Sequence, residues 1–509
     1  MTVSADVPAD AKRSSRPKYV PIDRAQSFFA PVDVEALIPA DHRARALWEL
    51  VGKLDLSAWE DGIESREGFA GRPCFSPRLL ASIWLYGYSI GIASARALAR
   101  MTRWEPGLRW LTGCEEINAH TLSDFRVLGK QRLDDLLTNL VAVLRREGLV
   151  DLEVIAQDGT KVEAQAGRQS MHRRETVERE LAEARRHIEE LDQRAREDEA
   201  QDARKEAAQK RAARERAERL ESALEEIQKR ESETPASRRE QVRVSTSEPE
   251  ARKMKHADGS WLPSHNVQVT TDAKEKVILR VAVTADANDT QQLLPAVAAV
   301  LECMGEKPGC MMADGGYVSR GNVEGMAEQG IELVAPIKES TAREAGAMAA
   351  NRIDAEFGPS MFVWDEASQS FVCPAGQRLE KVKQRKHHGQ MCEIYSARTG
   401  QCAACEKAPR CCGHLKPGVP RQIERVLEGA AMQEFVKRME QPDKQALYKK
   451  RSAVAETPHM RWKGNWKWRR FSVRGSLKAG MEAIWLALAY NAQVWARLSW
   501  QAQREVVTA

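Results

Sequence analysis

The feature that most constrains this fold is a change of period partway through a sheet-like region. LEVIAQ (152–157) alternates like a strand. From about Arg173 to Glu233 the chain is then almost entirely Glu, Arg, Ala, Lys and Gln. Strand patterning returns in HNVQVTTDAKEKVILRVAVTA (265–285), which reads as two strands around a polar turn. A helical block therefore interrupts an α/β domain just after its first strand. Within the block Val177, Leu181, Ala184, Ile188, Leu191 and Ala195 form one heptad seam, and Ala213, Ala217, Leu220, Leu224 and Ile227 form another. The stretch from Glu199 to Gln209 has little seam and Pro235 ends the block, so the expectation is an antiparallel helical hairpin. Its seams are thin and alanine-rich, which predicts a projection ordered only against a second subunit or DNA. A solvated strut is the competing reading.

The remaining patterns divide the chain further. Residues 1–30 read as a polar, disordered arm without the apolar core of a signal peptide. Residues 31–150 read as an all-helical, DNA-binding domain, with Ser76 as an N-cap and Pro77 at the first helical position of FSPRLLASIWLYGYSIG. The short HTLSDFR segment (120–126) is a candidate recognition helix, with His120, Ser123 and Arg126 as exposed readers; an ordinary helical bundle competes with this. Residues 151–172 and 236–338 form the interrupted core around the arm at 173–235. After the paired strands come a helix in DTQQLLPAVAAVLECMG, a strand in GCMMAD, a helix in RGNVEGMAEQG and a strand in IELVAPI. Residues 339–428 form a Cys-rich β insertion, and 429–509 supply C-terminal helices. The fold class is thus multidomain α/β with a mixed-sheet core.

Overall charge is uninformative: Lys and Arg exceed Asp and Glu by only 5 in 509 residues. Local charge is not, because between Lys437 and Lys478 there are 13 basic and 3 acidic side chains, a density suited to phosphate. No stretch reaches the ~18 continuous apolar residues of a membrane helix, so no membrane partner is expected. A cytoplasmic location is expected, and with it ten cysteines that are not paired as disulfides.

Two carboxylates end apolar runs: Asp158 in VIAQDGTKVEAQ and Asp314 in CMMADGGYVSRGN. A third, Glu456, lies in the basic stretch. Carboxylates scattered over some 300 residues suggest a site assembled by folding. Oxygen ligands suit Mg²⁺ or Mn²⁺, and two such ions clamp the attacking and leaving oxygens of a phosphodiester. In QCAACEKAPRCC, Cys402, Cys405 and Cys411 with upstream Cys373 make a candidate structural Zn²⁺ site. Cys392, Cys412, His387, His388 and His414 compete for the fourth ligand, and a metal-free reduced-thiol domain is the alternative.

Four groups of passages carry a resemblance: LLASIWLYGYSIGIASARALAR with LRWLTG and HTLSDFR; AQDGTKVEAQAG; HNVQVTTDA with NDTQQLLP and ADGGYVSRGNV; and RRFSVRGSLKAGMEAIWLALAYN. In order and spacing they resemble DDE transposases of bacterial insertion sequences, most of all the insertion sequence 1182 group of the insertion sequence 4 and 5 assemblage. The resemblance implies a ribonuclease-H-like core with Asp158, Asp314 and Glu456 as catalytic metal ligands. It implies metal-dependent DNA cleavage and strand transfer, acting on double-stranded DNA with terminal inverted repeats and on target DNA, by a homodimer on that DNA. The family's Glu lies in a Y-x2-R-x3-E-x6-K signature. Here Tyr448, Arg451, Glu456 and Lys463 give Y-x2-R-x4-E-x6-K, one residue longer in the middle. Glu482 is the competing carboxylate. Lys463 would hold a phosphate if one helix carries it with Glu456, although Pro458 offers an alternative helix start. Tyr448 and Arg451 would brace the DNA backbone. Trp462 and Trp466, at i and i+4, would stack on an unpaired base or else pack the helix. A non-catalytic DNA-binding descendant and a nuclease that does not join strands remain the alternatives.

Overall fold

The computed structural model describes residues 31–61, 63, 65, 73–197, 203–336, 348–387, 390–413, 419–426 and 429–500. The expected N-terminal arm, His388 and His414 lie outside these residues.

Among the described residues, six helices longer than one turn precede the sheet: α1 (Arg43–Val51), α2 (Pro77–Ser89), α3 (Ala95–Met101), α4 (Pro106–Thr112), α5 (Ala119–Arg126) and α6 (Lys130–Arg146). Local rules set their starts. The Ser76 hydroxyl accepts from Leu79 N at 3.2 Å ahead of Pro77, and Ser94 and Asn118 cap α3 and α5 in the same way. The core sheet then runs through β1 (Val154–Glu163). Two helices follow, α7 (Arg174–Glu197) and α8 (Ala203–Glu233), which pack on each other through Val177, Leu181, Ala184, Ala217, Leu220 and Ile227. The sheet resumes with β2 (Arg252–Lys255), β3 (Trp261–Asp272) and β4 (Ile278–Thr284), then α9 (Leu293–Met304), β5 (Cys310–Met312), α10 (Arg320–Glu328) and β6 (Glu332–Val334).

Strand β1 lies at the centre. It pairs antiparallel with β3 along its length and parallel with β5, which pairs parallel with β6; β2 and β4 share the far edge of β3. Sequence patterning ends the first strand at Gln157, but β1 continues through Asp158 to Glu163. The long β3 supplies a partner for every residue to Glu163, which outweighs the weak strand propensity of Asp158 and Gly159.

A second, fully antiparallel sheet fills the Cys-rich region: β7 (Val363–Asp365), β8 (Ser370–Val372), β9 (Arg378–His387), β10 (Gln390–Ser396) and β11 (Gln422–Val426), in sequence order. Four helices finish the chain: α11 (Ala430–Met439), α12 (Pro442–Lys449), α13 (Arg451–Met460) and α14 (Ser476–Trp495). Helix α14 is buried nearly throughout and packs on α2, α6 and β4. Its Asn491 caps the sheet edge, accepting from Ile278 N and donating to Ile278 O, each at 2.8 Å. The N-terminal helices, the sheet and α14 therefore share one hydrophobic core. Among the described residues, no helix is long and apolar enough to cross a membrane.

Candidate active site

Strand register places the two aspartates. In the parallel β1–β5 pair Ala156 faces Met312, and Asp158 and Asp314 each lie two residues further on. Past β5 the chain turns, with Gly316 N donating to Asp314 Oδ1 at 2.6 Å. A Cβ on Gly316 would come within 2.7 Å of that oxygen, so a side chain there would push the Asp314 carboxylate aside.

Helix α13 lies across β1 and β3 and brings the third carboxylate. Arg451 stands between acids: its Nη1 is 3.7 Å from Asp158 Oδ1 and its Nη2 3.5 Å from Glu456 Oε1. The Asp158 side chain is 15% exposed and that of Glu456 54%, so one acid forms the floor and the other the rim. Burial pushes the Asp158 carboxyl up to about 6 against the pull of Arg451, and the charges of Asp314 and Glu456 push it further. Asp158 thus senses the other two acids. Among the described residues, however, no three His, Cys, Asp or Glu side chains are placed as ligands to a single metal ion. The donor chemistry fits a hard cation: all oxygen, with clustered negative charge that Arg451 partly offsets.

Pro458 does not open a new helix. It sits inside α13, which continues into a wider π-helical turn, Arg461–Asn465. Proline lacks the N–H that would bond back one turn, and such turns absorb the mismatch. The widened turn carries Lys463 onto β1, where its Nζ donates to Thr160 Oγ1 at 2.6 Å and to Lys161 O at 2.8 Å. Burial lowers the Lys463 ammonium to about 8, helped by the Arg469 charge and opposed by Asp158. Tyr448 is half-buried against the core.

Three site expectations are corrected. Trp462 and Trp466 are 0% and 5% exposed, so neither offers a face to a base. Trp462 meets His459 and Trp468 edge-on, at 5.9 and 5.7 Å between centroids, in an aromatic wedge under α13. Arg126 is not an exposed reader either. It is buried, donates from Nη1 to Ala93 O at 2.6 Å and Ser472 Oγ at 2.9 Å, and lies 4.8 Å over the Trp84 ring. Its partners Trp84 and Ser472 are distant in sequence, so nothing local marks it as buried. His120 is exposed and Ser123 half-buried. Glu482 stands apart from the aspartates, accepting from Trp468 Nε1 and from Ser472 N and Oγ.

Sequence reasoning missed the support around the acids. His459 is buried with Nε2 3.6 Å from Asp158 Oδ2, and burial lowers it to about 3, so it is neutral there. Beneath β1 runs a polar chain. Gln157 Nε2 and the Tyr317 hydroxyl both donate to Gln268 Oε1, at 2.8 and 2.5 Å, and Gln268 Nε2 and Asn266 Nδ2 donate to Asp289 Oδ1, at 2.6 and 2.7 Å. A Cβ on Gly159 would fall 2.5 Å from Asp289 Oδ1, so glycine beside Asp158 admits the fourth acid. Alternation in β3 puts Asn266, Gln268 and Thr270 on one face, and that polar period is the signal that was available.

In the Cys-rich sheet, Cys373, Cys402, Cys405, Cys411 and Cys412 line one small cavity with Arg421. Burial raises the Cys411 thiol and pushes that of Cys412 up to about 12. Cys392 pairs with Val426 in the β10–β11 register, away from the cavity.

Comparison with known proteins bears on this geometry. Residues 32–128 match the family model described as Transposase domain (DUF772). Residues 233–492 match the one described as Transposase DDE domain; this span contains Asp314 and Glu456 and begins after Asp158. Among solved structures, the cryo-EM structure of piggyBac transposase synaptic complex with hairpin DNA aligns with 89% of this chain and 73% of that chain, at 8% identity and a TM-score of 0.29. No curated protein matches the chain. Because the second family model spans more than half of the 509 residues, the chain belongs to the transposase DDE-domain family.

Proposed function

We propose that this protein is an insertion-sequence transposase, of the insertion sequence 1182 kind, that cuts DNA at the ends of its element and joins those ends to a target. One observation carries the reading: Asp158 and Asp314 sit at matched positions past the same β1–β5 pair, with Glu456 tied to Asp158 through Arg451. Asp158, Asp314 and Glu456 would hold Mg²⁺ or Mn²⁺. When bound, a pair of such ions supplies a more acidic nucleophile, water or a 3′-hydroxyl, and charge neutralisation at the leaving oxygen.

The chain's own groups do the positioning. Arg451 restrains Asp158 and Glu456 and would brace the DNA backbone beside them. Lys463, anchored on β1, holds its proton at Nζ beside the acids and presents it to a phosphate. Neutral His459 and the Trp462 wedge keep water from the inner side of Asp158. Phosphoryl transfer needs positioning and charge compensation rather than a protein nucleophile. Residues 31–150 would bind the inverted repeats, the 173–235 arm would bridge two subunits on DNA, and the cavity cysteines would take a structural Zn²⁺. The setting would be the bacterial cytoplasm.

The test incubates purified protein and Mg²⁺ or Mn²⁺ with duplexes carrying the inverted repeats that flank its gene, uncut and pre-cut. Cleavage of the first and joining of the second are expected. Cleavage without joining of pre-cut ends would make the protein a nuclease, and neither activity would remove the proposal.

A further inference from the structure

Helix α13 has two working sides. Arg451 and His459 face Asp158, while Thr457 and, one turn on, Arg461 line a groove on the other side. This groove, about 190 Å³, is walled by Lys274 and Lys276 of the β3–β4 turn and by Tyr490 and Arg497 of the last helical segment. A second cavity of about 380 Å³ adjoins it, sharing Arg461, Gln493 and Arg497 and adding Arg43 and Asp41. Five cations thus face two carboxylates, Glu275 and Asp41.

Four of the five cations are not spent on structure; the fifth, Arg43, donates from Nη1 to Ser89 O at 3.4 Å. Lys276, Arg461 and Arg497 make no ion pair among the described residues, and Lys274 has only an exposed 3.8 Å contact with Asp151. Tyr490 reports the resulting field: burial pushes its hydroxyl up to about 12, but Arg461 and Arg497 pull it down. Lys276 adopts φ +61°, a conformation that disfavours a side chain, so the turn holds a lysine where glycine or asparagine would fit with less strain.

We propose that this two-part groove is a track for the sugar–phosphate backbone of duplex DNA running away from the bond held at Asp158. The inference rests on the transposase reading, which places DNA over α13. Open, continuous and lined by long flexible cations, the groove suits a polyanion strand rather than one captured phosphate, which calls for a closed cradle of backbone N–H groups.

Counterion release gives the test. Affinity for duplex DNA falls with salt at a log–log slope of about 0.9 per phosphate contact. Fluorescence anisotropy of a labelled duplex, without divalent metal and over a salt series, would compare the full chain with Lys274→Ala/Lys276→Ala and with Arg461→Ala/Arg497→Ala. Each double variant should lower the slope by about 2 with its melting temperature unchanged. The lysine pair sits on a surface turn, so it decides the matter even if the arginine pair unfolds. An unchanged slope in the lysine variant overturns the track. A protein that binds DNA with a groove-dependent slope but cuts nothing in Mg²⁺ or Mn²⁺ keeps the track and loses the transposase reading. One that cuts with unaltered slopes does the reverse.

Discussion

Asp158 and Glu482 are both acids held away from solvent near an arginine, Asp158 largely and Glu482 wholly, yet their surroundings are built on opposite plans. Glu482 is 0% exposed and satisfied: Trp468 Nε1 at 3.1 Å, Ser472 N at 2.9 Å and Ser472 Oγ at 3.0 Å fill its oxygens, with Arg126 nearby. Asp158 has no such set. Cationic Arg451 stands off at 3.7 Å and neutral His459 at 3.6 Å, Arg451 Nη1 and both His459 nitrogens lack hydrogen-bond partners, and two further acids press on it. A buried carboxylate with full hydrogen bonding holds a structure together. One left short of donors among other acids is poised for a positive ligand.

The largest expected effect separates activity from stability at Asp158. Asp158→Asn should reduce cleavage of end-bearing duplexes to background while leaving the denaturation midpoint unchanged or raised, since burial and neighbouring acids already oppose the charge. Retained cleavage in Mn²⁺ would transfer the role elsewhere. Glu482 should behave conversely. Glu482→Ala leaves Arg126 buried without its counter-charge and should cost about 3–5 kcal/mol. Glu482→Gln keeps part of the bonding and should cost about 1–3 kcal/mol. Urea unfolding of both variants, beside cleavage by the folded fraction, checks this. A Glu482 variant that unfolds normally but cannot cut would reverse the comparison.

That contrast also marks what the sequence made legible. Asp158 and Asp314 stood out because each ends an apolar run, a local signal that survives without knowing the partners. Glu456 was found by a resemblance in spacing, and Pro458, the reason for the widened turn that seats Lys463, was read only as a possible start. The reader role of Arg126 failed, and of the two readings of Trp462 and Trp466 the fold takes the packing one. A basic or aromatic side chain on a short helix looks the same whether it meets DNA or a partner 346 residues away, as Arg126 meets Ser472. The polar chain through Gln157, Gln268, Tyr317 and Asp289 escaped notice because it joins four separated segments, although its period was present in β3.

That chain yields an intermediate effect. Tyr317→Phe removes one donor from Gln268 Oε1, while Gln157 still supplies another. The net stability cost should be about 1 kcal/mol. Because Tyr317 lies three residues past Asp314 and its N–H donates to Asp314 O at 3.2 Å, cleavage should fall roughly tenfold, the equivalent of about 1.4 kcal/mol in the barrier. Rate and melting temperature measured together test it. A stability loss with unchanged rate would confine Tyr317 to packing.

The smallest effect concerns Lys463, a further charged group at the Asp158 site. Its ammonium is lowered from 10.5 to about 8, chiefly by burial. Between those values the unfolded chain carries a proton that the folded chain has released, so stability from this group rises as pH climbs from about 8 toward 10.5. Below about 8 both states are protonated and the burial penalty is constant. Lys463→Met preserves length and apolar stem while removing the titration. The melting-temperature difference, variant minus parent, should therefore be positive near neutral pH and shrink through that window, whereas parallel curves would mean that Lys463 is not strained. Duplex DNA sharpens the result. A phosphate at Nζ would hold the proton on, so bound DNA should flatten the parent's rise and leave the methionine variant's curve unaltered in shape, a response that the satisfied Glu482 site has no means to produce.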